Sequence, residues 1–184
     1  MKFSEIYERN DKPDFWNKHR QECNCGSYAL NLTSWYVPYL MEDEIDDCDE
    51  EDAFCYSCVE RDERIVDAIE RGETREDVLE ETIQWDWEFI LKSCPWLVPT
   101  DLAAIAPEDT IIAYRLYMAE EELWTPKEIV DDMDFHFRVR RNGIWYEKCG
   151  SNEIKEIGDI DITEPWKCGA LTYDGPFRLA KVVR

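Results

Sequence analysis

Three residues carry the types and spacing for nucleophilic acyl chemistry: Cys25, His136 and Glu147. The last two lie in the run from Asp134 to Gly150, where Asn142-Gly143 separates two stretches rich in aromatic and β-branched residues. Asn-Gly in that setting predicts a two-residue hairpin turn. Closing it pairs Arg141 with Ile144, Arg140 with Trp145, Arg138 with Glu147 and His136 with Cys149. Cross-strand partners share a face, so His136, Arg138, Arg140, Trp145, Glu147 and Cys149 point one way. Phe135, Phe137, Val139, Tyr146 and Lys148 point the other. Glu147 is then the diagonal neighbour of His136, roughly 7–8 Å away between backbones and within side-chain reach. Cys25 sits far upstream, in Asn24-Cys25-Gly26-Ser27-Tyr28-Ala29-Leu30, at the expected mouth of a helix. A helix dipole and a nearby imidazolium both favour thiolate. In that chemistry Cys25 attacks a carbonyl, His136 protonates the leaving amine, and Glu147 orients the imidazole.

Each residue also has a plainer reading. Cys25 can be a small buried hydrophobe. His136 can be a strand histidine on a solvent face beside Arg138, and Glu147, directly opposite Arg138, can be its partner in a surface ion pair. Cys149 is either a second thiol in the site or filler. Cys48, Cys55 and Cys58, completed by Cys23, Cys94 or Cys149, offer a zinc pattern, but one C-x2-C pair is a weak signal. No metal and no cofactor is expected, and the seven glycines form no phosphate-binding loop.

The elements that must position these residues follow from hydrophobic period and punctuation. Residues 1–22 form a polar, helical lead-in with Phe15 and Trp16 as apolar anchors. A helix runs from Cys25 to about Tyr36, and Pro38 ends it. Residues 60–71 form a helix with Ile65, Val66 and Ile69 inward, stopped at Gly72. Thr74, with Asp77 three residues on, caps a helix over 75–94 whose stripe is Val78, Leu79, Ile83, Trp87, Ile90 and Leu91. Ile111–Met118 reads as a buried strand, Thr125-Pro126 opens a helical turn, and Glu153–Ile157 and Phe177–Val183 are further strands.

At 184 residues, with 44% hydrophobic and 13% aromatic content, the chain suits one domain with a core of its own. It divides into a Cys helix (24–40), an acidic, mostly helical insertion (41–100) and an antiparallel sheet carrying the His hairpin (107–184). The net charge is −22 and uneven. Residues 1–134 hold 12 Lys/Arg against 36 Asp/Glu, or −24, whereas 135–184 hold 9 against 7, or +2. Residues 41–100 hold 5 against 21, or −16, and nine of the eleven residues in 42–52 are acidic. Such a field repels nucleic acid and anionic surfaces and attracts basic proteins. With no apolar run near 18 residues and no secretion signal, a cytoplasmic location with no membrane partner is expected, and with it eight reduced cysteines.

The two marker stretches resemble a pair found in a group of bacterial and phage proteins. Asn24-Cys25-Gly26-Ser27-Tyr28-Ala29-Leu30 is similar to its "N-C-Y-A-Y-A-L" signature. Asp134-Phe135-His136-Phe137-Arg138, followed by Gly143-Ile144-Trp145-Tyr146-Glu147-Lys148-Cys149-Gly150, is similar to its "D-Y-H-F-Y-R-Q-D…G-x-W-S-H-K-P-G". That group is similar in turn to papain-like cysteine peptidases of the NlpC and CHAP kinds. The resemblance implies an α+β fold, with a papain-like core in which the Cys helix packs on an antiparallel sheet. It also implies Cys25 as nucleophile, His136 as base and Glu147 as orienting group, acting on an amide or isopeptide bond of a protein or peptide substrate. Glu147 stands where the group carries histidine, and Gly26 and Cys149 stand for its tyrosine and proline. The charge supports a different function, an acidic nucleic-acid mimic that blocks a basic host protein such as a restriction, CRISPR or transcription component through 41–100. The expectation is thus a cysteine hydrolase or an anionic inhibitor, with no direct nucleic-acid binding in either case.

Overall fold

The computed structural model describes Trp16, Lys18, Arg20, Gln21 and residues 23–30, 56–119 and 124–183, with the backbone alone for 56–58. The acidic run 42–52, the Cys helix beyond Leu30, most of the lead-in and the set Cys48, Cys55 and Cys58 lie outside the described residues or side chains.

The chain is an α+β protein built on an antiparallel sheet. In chain order the helices are α1 (Cys25–Leu30), α2 (Tyr56–Glu70), α3 (Arg75–Ser93) and α4 (Pro126–Asp131). The strands are β1 (Leu97–Pro99), β2 (Ile111–Tyr117), β3 (Asp134–Arg141), β4 (Ile144–Lys148), β5 (Ile154–Gly158), β6 (Trp166–Cys168), β7 (Leu171–Tyr173) and β8 (Phe177–Val182). Six strands form one sheet in the order β1-β8-β2-β3-β4-β5, and β6 and β7 form a separate hairpin.

Local chemistry accounts for the boundaries. Gly72, at φ 79°, takes the left-handed conformation that stops α2. The Thr74 side chain accepts from the Asp77 backbone N–H and opens α3. Thr125 and Glu128 form a reciprocal capping box with Pro126 at the first turn of α4. Asn142 and Gly143 both have positive φ, 50° and 84°, the primed turn that matches strand twist. The hairpin register is the expected one from Arg138 with Glu147 to Arg141 with Ile144.

The central strand β2 is buried along six of its seven residues because both sheet faces are covered. On one face Ile112, Tyr114, Leu116, Phe137, Val139 and Ala180 pack under the helices with Leu79, Ile83 and Ile90. On the other, Ile111, Ala113, Trp145 and Leu179 meet Ile162, Trp166 and Tyr173 from the β6–β7 lobe. A fully buried aromatic such as Phe137 contributes about 2–3 kcal/mol here. An ion pair lies within the helical core: Asp86, 0% exposed, accepts from the buried Arg61 Nε at 2.9 Å and from Tyr114 Oη at 2.6 Å.

Candidate functional site

Cys25 is the first residue of α1, as expected. Asn24 precedes it, and its Oδ1 accepts from the Ser27 backbone N–H at 3.0 Å and the Ser27 hydroxyl at 2.9 Å. That oxygen caps the helix, which removes Asn24 Oδ1 from any role toward a substrate. The α1 helix lies on β3, whose rungs to β4 run from Arg138 to Arg141. In the stretch before them, Cys25 Sγ lies 3.8 Å from the Phe135 carbonyl and donates to it. The Phe137 N–H points at the same sulfur. The thiol thus sits against the β3 backbone at Phe135 and Phe137. Cys25 is 5% exposed, and burial pushes its pKa up to about 12, with the Asp134 carboxylate adding to the rise. Hydrogen bonds from the Phe137 and Gly26 backbone and the Lys148 charge oppose this without offsetting it. At neutral pH the group is a thiol, and the activation expected from a helix terminus is outweighed.

His136 and Glu147 do come together, in a buried cluster under the β6–β7 lobe. His136 is 1% exposed, with Nε2 3.6 Å from Glu147 Oε2, slightly beyond hydrogen-bond length. The same oxygen accepts from Arg138 Nε at 3.0 Å and pairs with Arg138 Nη2 at 2.9 Å. Glu147 is thus the ion-pair partner of Arg138, buried rather than, as expected, at the surface, and a neighbour of the imidazole. Its carboxyl lies below the ordinary range: burial pushes it up, but His136 and Arg138 outweigh that. For His136 burial dominates and lowers the pKa, which Glu147 only partly restores. The imidazole is held between Tyr173, ring centres 5.3 Å apart, and Trp166, edge-on at 6.3 Å. A solvent-facing histidine is therefore ruled out, and so is ready access for a substrate.

Cys149 departs from both expectations made for it. The thiols were expected reduced, and Cys149 was expected opposite His136. Instead β4 ends at Lys148, and Cys149 is joined to Cys168 in a disulfide that ties β6 to the end of the hairpin. The pairing was not readable from spacing, because connectivity depends on which loops the fold stacks. Cys23 and Cys94, like Cys25, are buried.

Three polar residues that organise this region carried weaker sequence signals. Arg115 donates to the carbonyls of Gly175 and Glu164 at 2.7 Å and of Thr163 at 3.1 Å, with its guanidinium over Trp166 and Phe177. Burial lowers its pKa to about 10. Tyr173 donates to Asp134 at 2.6 Å. Lys148, 0% exposed, donates to the carbonyls of Cys23 and Gly150, and to that of Arg20 at 3.2 Å. Its placement on the Phe137 face followed from strand alternation; its burial did not.

No hydrogen bond joins Cys25 to His136. The sulfur lies among the residues under the helices, whereas the imidazole packs on Trp166 and Tyr173 across the sheet. A surface groove of 690 Å³ lies elsewhere, between α3, the 99–103 loop and β8, where Trp87, Leu102 and Phe177 help to line it. Among the described residues no helix is long and apolar enough to cross a membrane.

The class this defines is an α+β protein with a six-stranded antiparallel sheet, helices on one face and a disulfide-tied hairpin on the other. No family model, no curated protein and no solved structure matches the chain.

Proposed function

We propose that this protein acts by binding a basic partner protein through the acidic face of its helical pair, as an anionic mimic of nucleic acid. The observation that carries the reading is the exposed surface of α2 and α3. Nine carboxylates, Glu60, Glu63, Asp67, Glu70, Glu76, Asp77, Glu80, Glu81 and Glu88, are exposed there. The exposed arginines of that stretch, Arg64 and Arg71, are already paired with Glu81 and Glu73. Phosphate-binding surfaces on nucleases, CRISPR effectors and transcription factors are arrays of Lys and Arg, and a rigid row of carboxylates complements them. The buried, protonated Cys25 supports binding over catalysis, since a nucleophile needs both thiolate and access.

The test is calorimetric titration of the chain into a panel of basic DNA-processing proteins at two salt concentrations, with duplex DNA as competitor. A partner bound tightly at low salt, weakened by added salt and displaced by DNA, is the expected result. Glu63→Lys with Asp67→Lys and Glu70→Lys should abolish that binding, whereas Cys25→Ala should leave it intact. Binding insensitive to salt and to the lysine substitutions would overturn the reading.

The hydrolase remains the second reading, favoured by one specific observation. Cys25 heads its helix and touches the backbone of Phe135, next to His136, which has Glu147 at 3.6 Å. For it to act, the sulfur must leave the strand edge and the imidazole must clear Tyr173 and Trp166. A thiol-directed acyl probe separates the two. Labelling of the native chain that is lost in Cys25→Ala supports the hydrolase, and absence of labelling removes it.

A further inference from the structure

We propose that Cys149, Cys168 and His136 form a redox-switched metal site, a disulfide when oxidised and a zinc(II) site when reduced. The three ligand atoms, two sulfurs and an imidazole nitrogen, all lie within 4.8 Å of one another. Zinc holds sulfur at about 2.3 Å and nitrogen at about 2.0–2.1 Å, so tetrahedral donors sit less than about 4 Å apart. After reduction the two sulfurs must part from bonding distance to about 3.7 Å, while the imidazole nitrogen closes in by at most about 1 Å. Two thiolates and an imidazole suit zinc better than magnesium or calcium, which take oxygen ligands.

A second observation points to a ligand at the same place. His136 Nε2 is buried with no hydrogen-bond partner, an uncommon state for an interior polar atom. Glu147 Oε2 lies 3.6 Å from that same nitrogen, on the side where an ion would bind, so its negative charge would complement the cation. His136 is fixed from the lobe side by Trp166 and Tyr173, so the ring is already oriented before any ion arrives. Cys149 and Cys168 are half-buried, whereas His136 is fully buried.

The redox step balances with a thiol as reductant. Two small-molecule thiols give up two electrons and two protons and become one disulfide, while the Cys149–Cys168 bond breaks to give two Cys thiols. Zinc then displaces both protons to solvent and is held by two thiolates and the neutral imidazole. In either state β6 stays tied to the end of β4, so the lobe that covers His136 is retained.

Cobalt(II) reports the site, because thiolate ligation gives charge-transfer bands that oxygen ligands lack. The full chain, reduced with a phosphine under argon, should take up one cobalt ion with thiolate bands, and zinc should displace it. The oxidised chain should give no such bands. Cys168→Ser and Cys149→Ser should each weaken binding by ~100-fold or more while far-ultraviolet circular dichroism stays unchanged. A triple Cys48→Ser, Cys55→Ser, Cys58→Ser variant should bind as the parent does. The proposal falls if the reduced chain binds no ion. It falls equally if binding survives loss of Cys168 or is lost in the triple variant. Zinc should also raise the melting temperature of the reduced chain alone; equal stabilisation of the oxidised chain would count against the site.

Discussion

Cys25 shows how position reverses the chemistry that a residue type suggests. A cysteine heading a helix invites the thiolate reading, but here the sulfur closes hydrogen bonds along the β3 edge and its pKa rises to about 12. The consequence for stability has a definite sign. Between the unfolded thiol value near 9 and the folded value, the native state retains a proton that the unfolded chain has lost. The stability Cys25 contributes is therefore complete below about pH 9 and declines as pH rises, by at most about 1.4 kcal/mol per pH unit. Urea unfolding of the parent and Cys25→Ala at pH 8, 9 and 10 should show their difference shrinking with pH; a constant difference would mean that the thiol titrates normally. Asp86 makes the opposite point, a fully buried carboxyl whose oxygens are matched by Arg61 and Tyr114. Asp86→Ala leaves the 6%-exposed Arg61 without its main partner and should cost about 3–5 kcal/mol in urea unfolding. Tyr114→Phe removes only one hydrogen bond to that carboxylate and should cost about 1–3 kcal/mol.

At the scale of elements, Arg115 fastens one layer to another. Its three carbonyl acceptors lie at residues 163, 164 and 175, on either side of the β6–β7 hairpin, which has only three residues per strand. Such a hairpin is marginal alone, so its order depends on Arg115, Trp166 packing and the disulfide. Arg115→Met keeps the stem volume but frees all three carbonyls. Amide exchange in 163–175 should speed up by ~10-fold or more, while α3 exchanges at the parent rate. Uniform acceleration would show instead that Arg115 supports the whole sheet. The same contrast explains what was legible beforehand. The β3–β4 register, the α3 and α4 caps and the α2 stop were readable because each is written within a few residues: Asn142-Gly143, Thr74 with Asp77, Thr125 with Glu128, and Gly72. The β6–β7 hairpin and β1 were missed because three-residue strands carry no measurable period. β1 pairs with β8 from more than 80 residues away, Leu97 with Val182, which no local pattern announces. The candidate residues were legible as a set of types, and His136 with Glu147 as a pair, because both follow from one hairpin. Cys25 belonged to a different layer, and its burial depended on where β4 stops.

For the whole molecule, the charge is strongly unbalanced, with a net −22 on 184 residues. Two like charges about 10 Å apart in water repel by about 0.4 kcal/mol, and the exposed faces of α2 and α3 hold many such pairs. Opposing this are surface ion pairs such as Arg64–Glu81 and Arg71–Glu73, each worth about 0–1 kcal/mol. Salt weakens both, so the sign of the salt effect reveals which is larger. Raising ionic strength from about 10 mM to about 150 mM shortens the Debye length from about 30 Å to about 8 Å. With repulsion dominant, the folded chain should gain stability of about 1–3 kcal/mol, seen as a rise of several degrees in melting temperature. Glu63→Gln with Asp67→Gln and Glu70→Gln should be more stable than the parent at low salt and lose most of that advantage at high salt. A melting temperature that falls with salt would mean that the pairs outweigh the repulsion. The acidic face would then be a self-compensated surface, poorly suited to capture a basic partner. Stability that rises with salt, alongside partner binding that falls with it, is the signature required of a surface whose carboxylates are held apart for another molecule to neutralise.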